Sequence, residues 1–261
     1  MKQIFNIDLK KMSADSNEEA TDRKKNFELF LKTGLPNKKD ESWKFSDLNF
    51  IINKNFKKIT NNDEFISDKK IKLINDFDHN HIILINGALK SYDIKYEEKS
   101  KIKINSSNSY EDFNNYSNNN LHYLNKALSI GGFSLEIEKN YKCKKPIIIY
   151  NYFSSNLDNK IINNSNKIKL NQNSELTLIE YNICEKSKYL KNTFEKIIME
   201  QSSILKIINI QKTRCNGYFY KNISGTQGYN TNFQNFILSS GLKFNKVEID
   251  MNLEKEKSSC Y

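Results

Sequence analysis

The sequence predicts a mainly β protein, a parallel β-solenoid preceded by a small α-helical and mixed N-terminal region. Three observations predict it. Helical signals are concentrated near the start. From about residue 129 onward, short apolar alternations are separated by polar corners. Within that second part the sequence repeats itself without gaps. Three zones follow: residues 1–58, helical; 59–128, mixed and polar with a short strand and a hairpin turn; and 129–261, the β-helix.

In the first zone Ser16 and Glu19 stand at capping-box spacing, a hydroxyl followed three residues later by a carboxylate. Ala20, Phe27, Phe30 and Leu31 supply an apolar stripe, and Gly34 and Pro36 stop the helix, which is expected over 16–33. Trp43, the only tryptophan, is read together with Phe45 as a packing anchor, with Trp43 buried against the helix stripe. The less favoured reading is a ligand-stacking ring.

The second zone is polar and irregular. Ile82–Ile85 reads as a strand, and Asn86-Gly87 is a strong hairpin turn signal. His79 and His81 share one face of an extended segment, so a shared metal is conceivable. No third ligand stands near, and exposed histidines at the start of a strand are the favoured reading. Residues 105–120, rich in Asn and Ser, read as a loop or linker.

In the third zone Phe133–Ile137 alternates with period two. Similar segments follow at Pro146–Tyr150, Ile168–Leu170, Leu176–Leu178 and Ile204–Ile210. Asn166–Asn182 aligns with Glu195–Gln211 at an offset of 29, with identities at Lys167/Lys196, Ile168/Ile197, Gln172/Gln201, Ser174/Ser203, Leu176/Leu205 and Ile179/Ile208. Fixed-period similarity marks repeat architectures. A fully extended repeat would reach roughly 95 Å at ~3.3 Å per residue, so each must turn several times. Stacked coils would place Ile168 and Ile197 inward and in register. A meander of antiparallel hairpins also fits the strands, but it does not require the corner residues to recur, and the solenoid is favoured.

Composition narrows the function classes. The chain is 38% hydrophobic, with 16 Phe and 14 Tyr, which is enough to build a core and argues against wholesale disorder. No apolar run reaches the roughly 18 residues of a membrane span. No secretory signal is visible over Met1–Lys11, so a cytoplasmic location is expected. The net charge of +10 would suit nucleic acid, yet Arg23 and Arg214 are the only arginines. Arginine is the residue that grips phosphate and guanine bidentately, so a solvated Lys-rich surface is the favoured reading. Cys143, Cys184, Cys215 and Cys260 are widely spaced, with no close pair of the kind a zinc ribbon needs. Each is read first as a free, buried, inert thiol and only second as a sulfur acceptor.

Several stretches resemble the SufB/SufD family of iron–sulfur cluster assembly proteins, and its SufD branch more closely. They are Gly34-Leu-Pro36, Glu41-Ser-Trp43-Lys-Phe45-Ser46, Ile83–Gly87, Leu124–Leu128, Ile168–Glu180 and, further on, Gln211 and Ser224–Glu248, in the family's order. The resemblance implies a right-handed parallel β-helix behind a helical N-terminal region. It also implies a scaffold without its own reaction, pairing with a SufB-like paralogue and docking a SufC-like ATPase. Nascent clusters would be handled without a tightly bound cofactor. No catalytic, cofactor-binding or metal residue is carried over, because the family's Cys/His pair belongs to a part not matched here. Against that pattern the chain is expected to be truncated at its C-terminus, poorly soluble alone and unable to bind SufC. Lys246, where the family often has Arg, is expected to weaken any specific contact there. The rival reading is a β-helical carbohydrate-active enzyme. It is weakened by the scarcity of Arg and because acidic pairs such as Asp15 and Glu18 lie outside the repeats.

Overall fold

The computed structural model describes residues 4–12, 16–62, 70–107, 120–211 and 214–261. Helix α1 (Asn17–Thr33) begins where the Ser16 hydroxyl accepts the Glu19 N–H, and ends where Gly34 turns to a φ of 81°. Its buried face is rotated from the expected stripe. Phe30 is buried and Phe27 and Leu31 partly so, but Ala20 is exposed, and Arg23 and Asn26 are buried instead. The cause is a polar dock: Arg23 donates to the Ala127 carbonyl at 3.1 Å and pairs with Glu19 at 2.8 Å. Helix α2 (Leu48–Asn55) is capped by Asp47, which accepts the Phe50 N–H at 2.8 Å.

Helix α3 (Asn120–Leu128) lies in the zone read as irregular. Leu121, Leu124, Ala127 and Leu128 are buried in one cluster with α1 and α2. Most of the proposed 105–120 linker, and Asp15, lie outside the described residues.

The strands are β1 (Thr60–Asn61), β2 (Asn80–Ile85), β3 (Ala88–Asp93), β4 (Ile102–Ser106), β5 (Phe133–Ile137), β6 (Ile147–Phe153), β7 (Lys160–Leu170), β8 (Glu175–Cys184), β9 (Lys188–Met199), β10 (Ile204–Gln211), β11 (Asn216–Gln227), β12 (Asn232–Ser239), β13 (Phe244–Leu253) and β14 (Ser259–Cys260). They form two sheets, ordered β13-β11-β9-β7-β5-β4, with β1 on β7, and β14-β12-β10-β8-β6-β2-β3. From β5 onward each strand pairs in parallel with the strand two places on. That is a β-solenoid of about 4 turns, not a hairpin meander.

Among the described residues antiparallel pairing occurs only between β2 and β3 and between β4 and β5, at the first coils. Asn86 and Gly87 make the β2–β3 turn, with φ of 50° and 89°, as the sequence signal required. The sheets reach across residue 128, since β2 lies parallel to β6.

The register reproduces the internal repeat. Lys167 faces Lys196, Ile168 faces Ile197, Leu176 faces Leu205 and Ile179 faces Ile208. Ile168 and Ile197 are both fully buried in the same core. The recurring corner has a mechanism. Ser174, Ser203, Thr231 and Ser258 each donate a hydroxyl hydrogen bond to the carbonyl three residues back. The residue before each of them, Asn173, Ser202, Asn230 and Lys257, has a φ of 57–61°. Asn173 and Ser202 N–H groups then bond to carbonyls of the next corner at 2.9 Å.

The helical region covers the outer face of one sheet. Ile161, Leu190, Tyr218 and Phe244 follow one another in register on β7, β9, β11 and β13. They join Phe5, Phe30, Leu48, Ile52 and Phe56 in one cluster. Burial is therefore continuous, not alternating, along the first halves of β7 and β9.

Trp43 is buried, but its ring partners come from the solenoid: Tyr220 at 5.6 Å and Phe244 at 6.4 Å between centroids. Phe45 is 90% exposed and takes no part in the anchor. Lys246 also departs from expectation. Its ammonium donates to the Ser42 carbonyl at 2.7 Å, pairs with Glu248 at 3.2 Å and stands 4.6 Å from the Trp43 ring. A point charge satisfies all three at once, without a guanidinium fork.

Trp43→Ala should destabilise the chain by roughly 3–5 kcal/mol, as for large-to-small changes in a packed core. The denaturation midpoint checks it, and an unchanged midpoint would show that the ring is not part of the core.

Candidate functional site

The parity of β9 builds the site. Because Ile197 and Met199 point into the solenoid, every second residue before them does too: Glu195, Thr193, Lys191 and Tyr189. The register carries this parity to Asn164 and Asn166 on β7 and to Phe219, Lys221 and Ile223 on β11. Opposite, β8 turns Leu176 and Leu178 into the apolar core, and the same alternation brings in Glu180, Asn182 and Cys184. The lumen is thus apolar near the 170–175 corner, polar in its middle, and lined again by apolar and aromatic side chains around the thiols near the 184–188 corner.

At the centre of the polar part, the Lys221 ammonium donates to Glu180 and lies 3.1 Å from Glu195. Glu180 is 5% exposed and Glu195 0%. Burial works against the Glu180 carboxylate, but Lys221 and Lys191 outweigh it and its pKa is lowered. For Glu195 burial wins and its pKa is raised, which favours the carboxylic acid. Burial also opposes the Lys221 charge, but the two glutamates outweigh it and its pKa is raised. Asn166 donates to Glu195 at 3.4 Å, and Thr193 donates to Asn164 at 2.8 Å.

Lys191 lies next along the lumen. Its ammonium is 5.2 Å from the centroids of Phe153 and Phe219, and burial lowers its pKa to about 8, partly offset by Glu180. Beyond it the Tyr189 hydroxyl touches two sulfurs, Cys184 at 3.5 Å and Cys215 at 3.2 Å. Both thiols are free. The influence of Cys184, with help from Tyr189 and the Gly217 backbone, holds the Cys215 pKa down, while the neighbouring Cys215, with burial, pushes Cys184 up. One line of side chains therefore offers carboxyl, amine and thiol groups, out of bulk water.

The four cysteines have different fates. Cys184 and Cys215 come together, although they stand a coil apart in sequence. Cys143 is half-buried against the apolar core, and burial raises its pKa to about 12. Cys260 is exposed on β14, so it is not a buried residue as the default reading expected. His79 is buried, not exposed. One ring nitrogen bonds the Phe77 carbonyl and the other the Tyr150 hydroxyl, each at 3.0 Å. With both nitrogens engaged it is not arranged as a ligand beside His81. Among the described residues no group of three or more His, Cys, Asp or Glu side chains is placed to hold a metal.

Sequence reasoning placed Ile197 inward but did not extend the parity back along β9, where Lys191 and Glu195 follow from it. The pairing of Cys184 with Cys215 had no local signal.

Lys191 gives a pH test. In the folded chain its amine loses its proton near pH 8, while in the unfolded chain it holds it to about 10.4. Between those values the unfolded state binds more protons, so stability from this group rises with pH. Relative to Lys191→Met, the parent chain should gain on the order of 2 kcal/mol between about pH 8 and 10. Paired urea titrations across that range check it; a flat difference would show that the amine is not desolvated.

Residues 152–261 match the family model described as "SUF system FeS cluster assembly, SufBD core domain". No curated protein matches the chain. The matched stretch holds Glu180, Cys184, Lys191, Glu195, Cys215 and Lys221. The match supports the SufB/SufD family and a role in iron–sulfur cluster assembly.

Proposed function

We propose that the chain is a SufD-like scaffold subunit of a SufBCD-type complex, working in iron–sulfur cluster assembly without a reaction of its own. The observation that carries this reading is the SufBD-core match over the coils whose lumen gathers thiols, ammonium groups and carboxylates. Thiolates suit the iron of iron–sulfur clusters as ligands. The cluster is cargo in this reading, and no tightly bound cofactor is proposed. Assignment to the SufD branch rests on the Trp43 segment.

The outer surface of β12 and β13 supports a protein partner. Phe236, Leu238, Ile249 and Leu253 on β12 and β13 are exposed. Neighbouring exposed apolar side chains are surfaces that associate. The occupant proposed is a SufB-like paralogue, with a SufC-like ATPase as a further member of the complex. The location proposed is the cytoplasm, and neither nucleic acid nor membrane is a proposed partner. Among the described residues no helix is long and apolar enough to cross a membrane.

The carbohydrate-enzyme reading is not favoured. Glu180 and Glu195, the acidic pair brought together in the solenoid, are buried in the lumen, where a polysaccharide has no access.

Co-expression of the tagged chain with SufB-like and SufC-like proteins tests the proposal. A SufB-like protein should co-purify, and the chain alone should self-associate on size-exclusion chromatography. A monodisperse monomer that captures no SufB-like protein would overturn it.

A further inference from the structure

Cys184 closes β8, and Cys215 stands just before β11, so the two thiols belong to successive coils. Their meeting is built by packing. Phe153, Leu157, Ile162, Tyr189 and Phe219 form a buried cluster around Cys215, with Cys184 and Leu242 against it. Cys215 is 3% exposed, whereas Cys184 is half-buried and gives the pair its access to solvent. The Tyr189 hydroxyl lies within hydrogen-bonding distance of both sulfurs, and it sits on the inward face of β9 two residues before Lys191.

We propose that Cys184 and Cys215 form a dithiol–disulfide couple that small peroxides oxidise. Cys215 is the attacking sulfur and Cys184 the resolving one. The assignment follows from the surroundings. The Tyr189 hydroxyl stands nearer Cys215, at 3.2 Å, than Cys184, at 3.5 Å, and the neighbouring Cys184 thiol, the Gly217 backbone and the Lys191 charge all favour the Cys215 thiolate. The neighbouring Cys215 and burial both raise the Cys184 pKa, so this thiol keeps its proton. A low-pKa sulfur beside a second, protonated sulfur is the arrangement in which a thiol oxidises and is then resolved.

The chemistry balances. The Cys215 thiolate attacks one peroxide oxygen, the O–O bond breaks, and hydroxide leaves, taking the proton Cys215 had shed. Cys215 is then a sulfenic acid. The Cys184 sulfur attacks the Cys215 sulfur, the S–O bond breaks, and the second hydroxide leaves with the Cys184 proton. Two thiols and one hydrogen peroxide give one disulfide and two waters. Hydrogen peroxide is small enough to reach a sulfur that a protein disulfide could not. A dithiol reductant reverses the product. Among the described residues Cys143 and Cys260 have no such neighbour: the first is held as a thiol by burial, and the second is exposed on β14. This proposal does not depend on the role in cluster assembly.

The test uses the full chain, purified reduced, titrated with hydrogen peroxide and then alkylated under non-reducing conditions. Peptide mapping should find Cys184 joined to Cys215, with Cys143 and Cys260 alkylated, and intact mass should show the loss of two hydrogens. Dithiothreitol should restore four alkylatable thiols. Cys184→Ser, at the more exposed position, should abolish the cross-linked peptide and leave Cys215 as a sulfenic acid that dimedone traps. Tyr189→Phe should slow formation of the cross-link while keeping its identity. A disulfide through Cys143 or Cys260, or dimedone labelling of Cys215 in the parent chain with no cross-link, would overturn the proposal. So would four free thiols after an excess of peroxide.

Discussion

One parallel register fixes the direction of nearly every side chain in the solenoid. Ile168 lies against Ile197, 29 residues on; Ile197 lies against Gly225, 28 on; and Ile223 lies against Ile249, 26 on. A slip of one residue would turn every inward side chain outward. At Gly225 the fit is close enough that an added Cβ would stand 2.1 Å from the Ile197 carbonyl oxygen. The corners hold the register. A left-handed residue followed by a hydroxyl residue recurs at 173–174, 202–203, 230–231 and 257–258, and the hydroxyl closes each turn on the carbonyl three residues back. Glu195 meets Lys221 because their coils stack in this register.

The polar half of the lumen is not the most stable filling such a solenoid could have. Burying Glu180, Glu195, Lys191 and Lys221 removes four ionisable groups from water, and their pairing offsets that loss only in part. The shifts show where the balance falls: Lys221 and Glu180 keep their charges, while Glu195 and Lys191 are pushed toward their neutral forms. The apolar half, with Ile168, Leu170, Leu176, Leu178, Ile197 and Met199, carries no such cost. A solenoid selected for stability alone would continue that ladder. The charged residues therefore make the lumen, more than the outer faces, the place to look for function.

Local signals were legible in the sequence and contacts across the fold were not. Ser16, Gly34 and Asn86-Gly87 act within a few residues, and each does what its chemistry implied. The 29-residue repeat was legible because a register writes itself twice into the sequence. Helix α3 was hidden by its Asn-rich approach, since Leu121, Leu124 and Leu128 are too few to stand out as a stripe. The stacking of Asn163 on Asn192, with a hydrogen bond of 2.8 Å, was hidden by composition: in an Asn-rich chain, one Asn matching another carries no information. Trp43 shows a third limit. Its burial was predictable from its type, but its partners Tyr220 and Phe244 lie far along the chain and come near only after the coils have closed.

The alternation that separates inside from outside also divides the inside lengthwise. Each coil places its polar inward residues by the same corner, so the polar groups of successive coils stack along the axis instead of scattering around the lumen. Asn166 bonds Glu195 one coil on, Glu195 meets Lys221 a further coil on, and Lys221 reaches back across the lumen to Glu180. Lys191, from the same strand as Glu195, links this line to Tyr189 and the two thiols. Both walls of the solenoid therefore keep an apolar ladder toward the 170–175 corner, while their remaining inward positions carry charge and sulfur without interrupting it. That division lets a narrow β-helix hold reactive groups in its interior and remain folded.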